Sequence, residues 1–198
     1  MAGGETRKAK GVLVAQHVRV LRKARDENLL EGLTPAQREI VASYVLPSSW
    51  YPYEVYARTL DIIFNRISGG EPDAARGMGH FMAYEMLQGP YSMYLKRGDP
   101  LVTLSRFKTI WKNYFNFGEV SFNKCANTED GKTPNCVEMA IRGFPDFPYP
   151  LSLIVEGFLE KTVELAGGVD PKIELDRGTG PDQPNYTCHI AWQKVIPT

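Results

Sequence analysis

Long apolar runs are missing from this sequence. The N-terminal stretch MAGGETRKAKGVLVAQHVRVLRK interrupts its apolar residues with His17, Arg19 and Arg22, so it offers neither a signal-peptide core nor a membrane span. Alanine rather than glycine follows Met1, which removes the myristoylation pattern. Cysteine and histidine are scarce, three of each in 198 residues. An odd cysteine count fits a reducing compartment better than a secreted disulfide framework, and the cytoplasm is the expected location. Also absent are a Gly-x-Ser-x-Gly elbow, a Walker-type glycine loop, a His-Glu-x-x-His helix and any pair of Cys-x-x-Cys motifs. Each of those patterns carries a specific chemistry, and without them the chain is expected not to be an enzyme.

What the chain does contain is globular in kind: 43% hydrophobic and 11% aromatic residues, enough for a real core. Net charge is zero, but residues 1–25 hold seven Lys or Arg against one Glu, leaving sixteen against twenty-two in the remainder. A solvated basic front leading into a helix accounts for this. With no aromatics interleaved for base stacking, nucleic acid is not an expected partner. The expected organisation is a flexible basic tail over residues 1–9 and a single α+β domain over residues 10–196.

Apolar spacing predicts a helix from Val12 to Leu30, closed by Gly32, and a second from Thr34, whose Thr-Pro-Ala-Gln opening reads as a cap followed by proline at the first helical position. Pro47 ends that helix. The segment LPSSWYPYEVY then packs a Trp and three Tyr into Leu46 to Tyr56. Ser48 or Ser49 is expected to cap a new helix whose first turns hold Pro52, with Tyr53, Tyr56, Leu60, Ile63 and Ile67 forming one apolar stripe. Further helices are predicted over Ala74 to Leu87, with small residues Ala75, Gly79 and Ala83 four apart, and over Leu101 to Phe115. A short aromatic helix holds Tyr91 and Tyr94.

At Gly118 the period changes to two. GEVSFNKC and CVEMAIRGF alternate as half-buried strands joined by a polar loop, an amphipathic helix follows from Leu151 to Ala166, and KIEL and TCHIAWQKV supply two more strands. The expected fold class is α+β: an N-terminal helical bundle packed on a C-terminal antiparallel sheet of β-β-α-β-β order.

Four segments, Lys10-Gly11-Val12, Leu46 to Pro52, Gly118-Glu119 and Arg142 to Pro145, resemble a paralogous family of bacterial proteins of unknown function, numerous in myxobacteria. The likeness runs from residue 10 to Trp192. More distantly the chain resembles the superfamily of haem nitric-oxide-binding domains, the vinyl-reductase-type ligand-binding domains of bacterial phenol sensors, and the small subunits of the TRAPP tethering complex. The first relative implies an axial histidine and a Tyr-x-Ser-x-Arg element for haem propionates. No such element occurs here, so no cofactor is expected. The second implies zinc, for which Cys125, Cys136 and Cys188 are the candidates; Cys188 and His189 are neighbours in a strand and point to opposite faces. Cys125 and Cys136 face each other across the hairpin as ordinary thiols, a metal site or a redox pair. The third implies a scaffold that dimerises or binds a partner through its helices.

The leading expectation is a sensor domain enclosing a small apolar or aromatic ligand, with Trp50, Tyr53, Tyr56, Tyr84 and Trp111 lining the pocket. The alternative is a ligand-free interaction scaffold in which the same elements form a homodimer or partner surface, with an exposed apolar patch and concentration-dependent assembly as its expected signs. Glu54, Asp61, Glu85 and Asp99 are acids among helices and read as solvated faces rather than proton donors.

Overall fold

The computed structural model describes residues 6–125, 135–144, 146–176 and 186–195. It divides into two compact units: one comprises the chain up to Glu71 with Lys112–Phe117, the other Pro72–Trp111 with Gly118 onward.

The first unit opens on strand β1 (Lys8–Lys10), helix α1 (Gly11–Ala24) and a 3-10 turn over Glu27–Leu30. Lys8 and Ala9 thus belong to the fold although they fall in the stretch expected to be tail. The reason is main-chain pairing: β1 bonds antiparallel to β2 (Trp50–Pro52), and Lys8 is held on its other side by Asn116. Helix α2 (Pro35–Ala42) begins with a capping box, the Thr34 hydroxyl accepting from the Gln37 N–H while the Gln37 side chain accepts from the Thr34 N–H.

The LPSSWYPYEVY segment departs from expectation at its start. Trp50–Pro52 is a strand rather than a first helical turn, and α3 (Tyr53–Ile62) starts after Pro52 with no side-chain cap. Its stripe of Tyr53, Tyr56, Leu60 and Ile63 is buried, yet Ile67 is exposed. The chain widens to a π-helix over Ile63–Ile67, and a wider turn carries Ile67 off the register that an α-helical spacing would give it.

The second unit holds helices α4 (Pro72–Gln88), α5 (Pro100–Ser105), α6 (Phe107–Tyr114, its last turn belonging to the first unit) and α7 (Tyr149–Leu165). The single helix expected over Leu101 to Phe115 is broken at Arg106, whose guanidinium donates to the Met93 and Tyr94 carbonyls. Strands β3 (Glu119–Lys124), β4 (Asn135–Arg142), β6 (Lys172–Asp176) and β7 (Tyr186–Trp192) form an antiparallel sheet in the order β3-β4-β7-β6. Two short strands, β5 (Gly168–Val169) and β8 (Lys194–Val195), pair separately, so β5 interrupts the expected strand order after α7.

Helix α7 is buried continuously from Pro150 to Leu159. A helix apolar on all sides needs partners on opposite sides. Strand β7 lies against one and α4 against another. Contact with α4 is at backbone distance, because an added Cβ at Gly79 would fall 2.1 Å from the Ile154 carbonyl oxygen, and one at Gly157 would fall 2.1 Å from that of Arg76. Across this seam Arg76 Nε donates to Glu156 at 2.9 Å, and His80 Nε2 meets Glu160 at 2.8 Å.

Candidate functional site

In the first unit, the i, i+3, i+6 spacing of Tyr53, Tyr56 and Thr59 puts all three on one buried face of α3. Helix α1 supplies His17, 4% exposed, whose ring lies over Tyr56 with centroids 4.8 Å apart and planes at 16°. Its Nδ1 is 2.9 Å from the Thr59 hydroxyl oxygen, which in turn lies 2.8 Å from the Val55 carbonyl and 3.0 Å from that of Tyr56. The hydroxyl hydrogen satisfies the helix carbonyls, so the imidazole donates from Nδ1 and is held in one neutral tautomer. Burial drives the imidazole pKa down to about 4, against the smaller lift from the Tyr56 backbone. Burial also pushes the Tyr56 phenol up, and neighbouring Tyr53 adds to it.

Aromatics extend this cluster. Tyr53 sits edge-on to Phe117 at 4.9 Å and to Phe115 at 6.2 Å, while Tyr56 meets Phe115 at 5.6 Å. The Arg7 guanidinium carbon lies 5.5 Å from the Tyr53 ring centre and 5.8 Å from that of Phe117, and Arg7 pairs with Glu54 at 3.5 Å.

The five residues expected to line a pocket occupy different environments. Tyr53 and Tyr56 come together in the cluster just described. Trp50 lies elsewhere on the first unit, on the outer face of the β1-β2 ribbon, 38% exposed with the Lys10 ammonium 4.6 Å from its ring centre. In the second unit Tyr84 is half exposed on α4, while Trp111 is buried among Phe107, Phe144 and Phe147. A separate groove of about 280 Å³ in the first unit is lined by Leu21, Arg22, Arg25, Asp26, Glu27, Leu30 and Val41. Arg22 there donates to the carbonyls of Val41, Ala42 and Ser43, closing the C-terminus of α2.

Cys125 and Cys136 are joined in a disulfide, their Cα atoms 5.4 Å apart. Of the thiol, metal and redox-pair readings, a sulfur–sulfur bond corresponds to the oxidised form of the last. Cys188 lies apart on the buried face of β7, where burial, with a smaller contribution from Glu156, pushes its thiol up. Among the described residues no group of three or more His, Cys, Asp or Glu side chains is placed to hold a metal ion. The acids singled out in the sequence are engaged or solvated: Asp61 pairs with Arg58, Asp99 caps α5 and Glu85 is exposed. Sequence reading missed Glu156, the buried acid of α7. Its signal is its position, a carboxylate inside LSLIVEGFL four residues before Glu160.

No helix among the described residues is long and apolar enough to cross a membrane. No family model matches the chain, and no curated protein does. Solved structures do match. The Fe(II) unliganded H-NOX protein from K. algicida aligns with TM-score 0.60 and 11% identity over 96% of this chain and 99% of its own. A mutant of the T. tengcongensis H-NOX aligns with 0.61 and 11% over 94% and 99%, and a Cs H-NOX mutant with 0.63 and 12% over 96% and 99%. At that identity the likeness is one of fold: nearly the whole chain follows the H-NOX path, helices first and an antiparallel sheet last.

Proposed function

We propose that this chain is a non-enzymatic, cytoplasmic sensor domain on the H-NOX fold that takes a small apolar or aromatic ligand without haem. One observation carries the reading: the fold follows H-NOX end to end, while the residues present do not fit a haem. An axial ligand needs a free imidazole nitrogen, thiolate or phenolate. Nε2 of His80 lies against Glu160 at 2.8 Å, and that of His189 faces Glu138 at 3.8 Å. His17 is 4% exposed, flat against Tyr56 and tied to Thr59. Cys125 and Cys136 are bonded to each other in the oxidised chain, and burial keeps the third cysteine protonated. Nothing in the sequence matches the Tyr-x-Ser-x-Arg element for propionates.

The buried aromatic cluster of the first unit is the proposed recognition site, where a ligand would take over contacts the rings now make with one another. Tyr53 and Tyr56 present large, stiff apolar area, and His17 contributes an imidazole whose neutral state does not change near neutrality. The ligand class that matches is small, uncharged and apolar or aromatic, since a charged group beside these rings would lose its hydration without a buried partner. Trp50, Tyr84 and Trp111, also expected to line a pocket, stand in the separate environments described above and are not part of this cluster. Kinship with the myxobacterial paralogues rests on the four segments quoted above.

Native mass spectrometry of the purified full chain, with a denatured control, tests this. The expected result is a discrete non-covalent organic adduct that disappears on denaturation. Bare chains would overturn the reading for any tightly held ligand, and a haem adduct would overturn its haem-free part. The second reading, an interaction scaffold, is favoured by one observation: α4 carries Phe81, 64% exposed, and Tyr84, 50% exposed, one turn apart. Bare dimers whose population rises with concentration would support it.

A further inference from the structure

We propose that Cys125 and Cys136 form a reversible thiol–disulfide exchange site on the solvent face of the four-stranded sheet, with a dithiol as its reductant. The inference is independent of the sensor reading. Strand alternation fixes the face. On β4, Val137, Met139 and Ile141 are buried on one face, whereas on the other Cys136 and Glu138 are half-buried, Ala140 is buried and Arg142 is exposed. Cys136 lies across from Ala191 of β7, which lies across from Lys172 of β6, so this row ends in an exposed lysine rather than in the core. Cys125 follows Lys124 at the end of β3 and donates its N–H to the Cys136 carbonyl at 3.3 Å. Both cysteines are half-buried rather than in the core, and the proposed exchange takes an attacking thiolate to reach their sulfurs from that face.

Three features set this pair apart from a permanent staple. The sheet does not depend on it: β3 pairs with β4 from Glu119 to Lys124, β4 pairs with β7 from Asn135 to Ile141, and Met139, Ile141 and Phe144 are fully buried. Disulfides are structural necessities in scaffolds too small to build a core, whereas this chain of 198 residues has an extensive one. The bond also sits at the end of a strand at the edge of the sheet, since among the described residues β3 pairs with β4 alone, so its loss reaches one strand end rather than the whole sheet. Finally, the remaining cysteine is sequestered: Cys188 is 0% exposed on the opposite face with its thiol pushed up by burial, which keeps it out of exchange.

The step balances as a two-electron exchange. A thiolate of the dithiol attacks one sulfur, the Cys125–Cys136 bond breaks, and a mixed disulfide forms as the other cysteine leaves as a thiolate and takes up a proton. The reductant's second thiolate then displaces the remaining cysteine, which is protonated in turn. The pair gains two electrons and two protons, and the dithiol ends as its own disulfide. The oxidising direction is the same exchange run with a disulfide such as oxidised glutathione.

The full chain equilibrated in glutathione buffers from reducing to oxidising, then quenched by alkylation and weighed, gives the test. Expected is one two-electron transition confined to Cys125 and Cys136, with Cys188 alkylated only after denaturation. Amide exchange in β3 should rise on the order of tenfold on reduction while α7 is unchanged. The Cys125→Ser variant should fold, exchange at the faster rate and ignore the buffer. A pair that stays oxidised in excess dithiothreitol would overturn the proposal, as would a pair that stays reduced in oxidised glutathione, or reduction that unfolds α7 as well.

Discussion

At the scale of single residues, His17 makes the sharpest statement. Its imidazole has its pKa lowered from 6.5 to about 4 by burial, so the folded chain refuses a proton that the unfolded chain accepts. Between those two values the unfolded state binds more protons, so stability falls as pH drops through the window and levels out below about 4. The full loss is on the order of 3 kcal/mol. Carboxylates titrate in the same range, and a variant isolates the histidine. His17→Phe keeps an aromatic ring for Tyr56 while the Thr59 hydroxyl keeps its carbonyl partners. In urea unfolding at pH 7, 5.5 and 4, the wild type should lose stability more steeply than His17→Phe; equal slopes would show that His17 is protonated in the fold. Sequence reading noted His17 only as an interruption of an apolar run. Its partner Thr59 lies 42 positions away, and no local pattern announces a contact across that distance.

Among the elements, the seam between α4 and α7 argues for itself through glycine. Ala75, Gly79 and Ala83 were legible as a small-residue face, since four-residue spacing is visible in any helix, and all three are buried. What the spacing could not show is the reciprocal glycine, Gly157, which admits the Arg76 carbonyl at a place where an alanine Cβ would sit 2.1 Å from it. Gly79→Ala and Gly157→Ala should each destabilise the chain by about 1–3 kcal/mol through overpacking, despite the better helix propensity of alanine. Gly77, on the same helix with nothing within 4 Å of an added Cβ, is the control, and Gly77→Ala should stabilise by about 1 kcal/mol. Denaturant midpoints decide it; three equal shifts would mean that backbone entropy, not contact, governs this helix. The strands were legible for a similar reason: a period of two needs only a handful of residues to declare itself, as GEVSFNKC and CVEMAIRGF do. The β1-β2 ribbon was not legible, because three-residue strands carry no period and exist only through each other's main chain.

For the whole molecule, the α+β class and the antiparallel sheet followed from the order of periods along the chain, and the likeness to H-NOX domains, at 11–12% identity, is one of fold. The grouping of site residues did not follow. Trp50, Tyr53, Tyr56, Tyr84 and Trp111 are alike in composition, but exposure is a tertiary property, and it separates the buried Tyr53, Tyr56 and Trp111 from the surface residues Trp50 and Tyr84. A fold carries its relatives' path without their chemistry, and haem puts that to a direct test. Ligation through Nε2 would require His80 to give up Glu160 or His189 to turn from Glu138, and ligation by His17 would require it to leave its buried stack on Tyr56. The first two moves leave a carboxylate without its partner, and the third takes apart a buried aromatic cluster. Titrating haemin into the purified chain should therefore give the broad absorption of loosely associated pigment, unchanged in His17→Phe. A sharp Soret band that saturates at one equivalent and vanishes in a single histidine variant would show that this chain keeps a haem site, and would identify the residue that holds it.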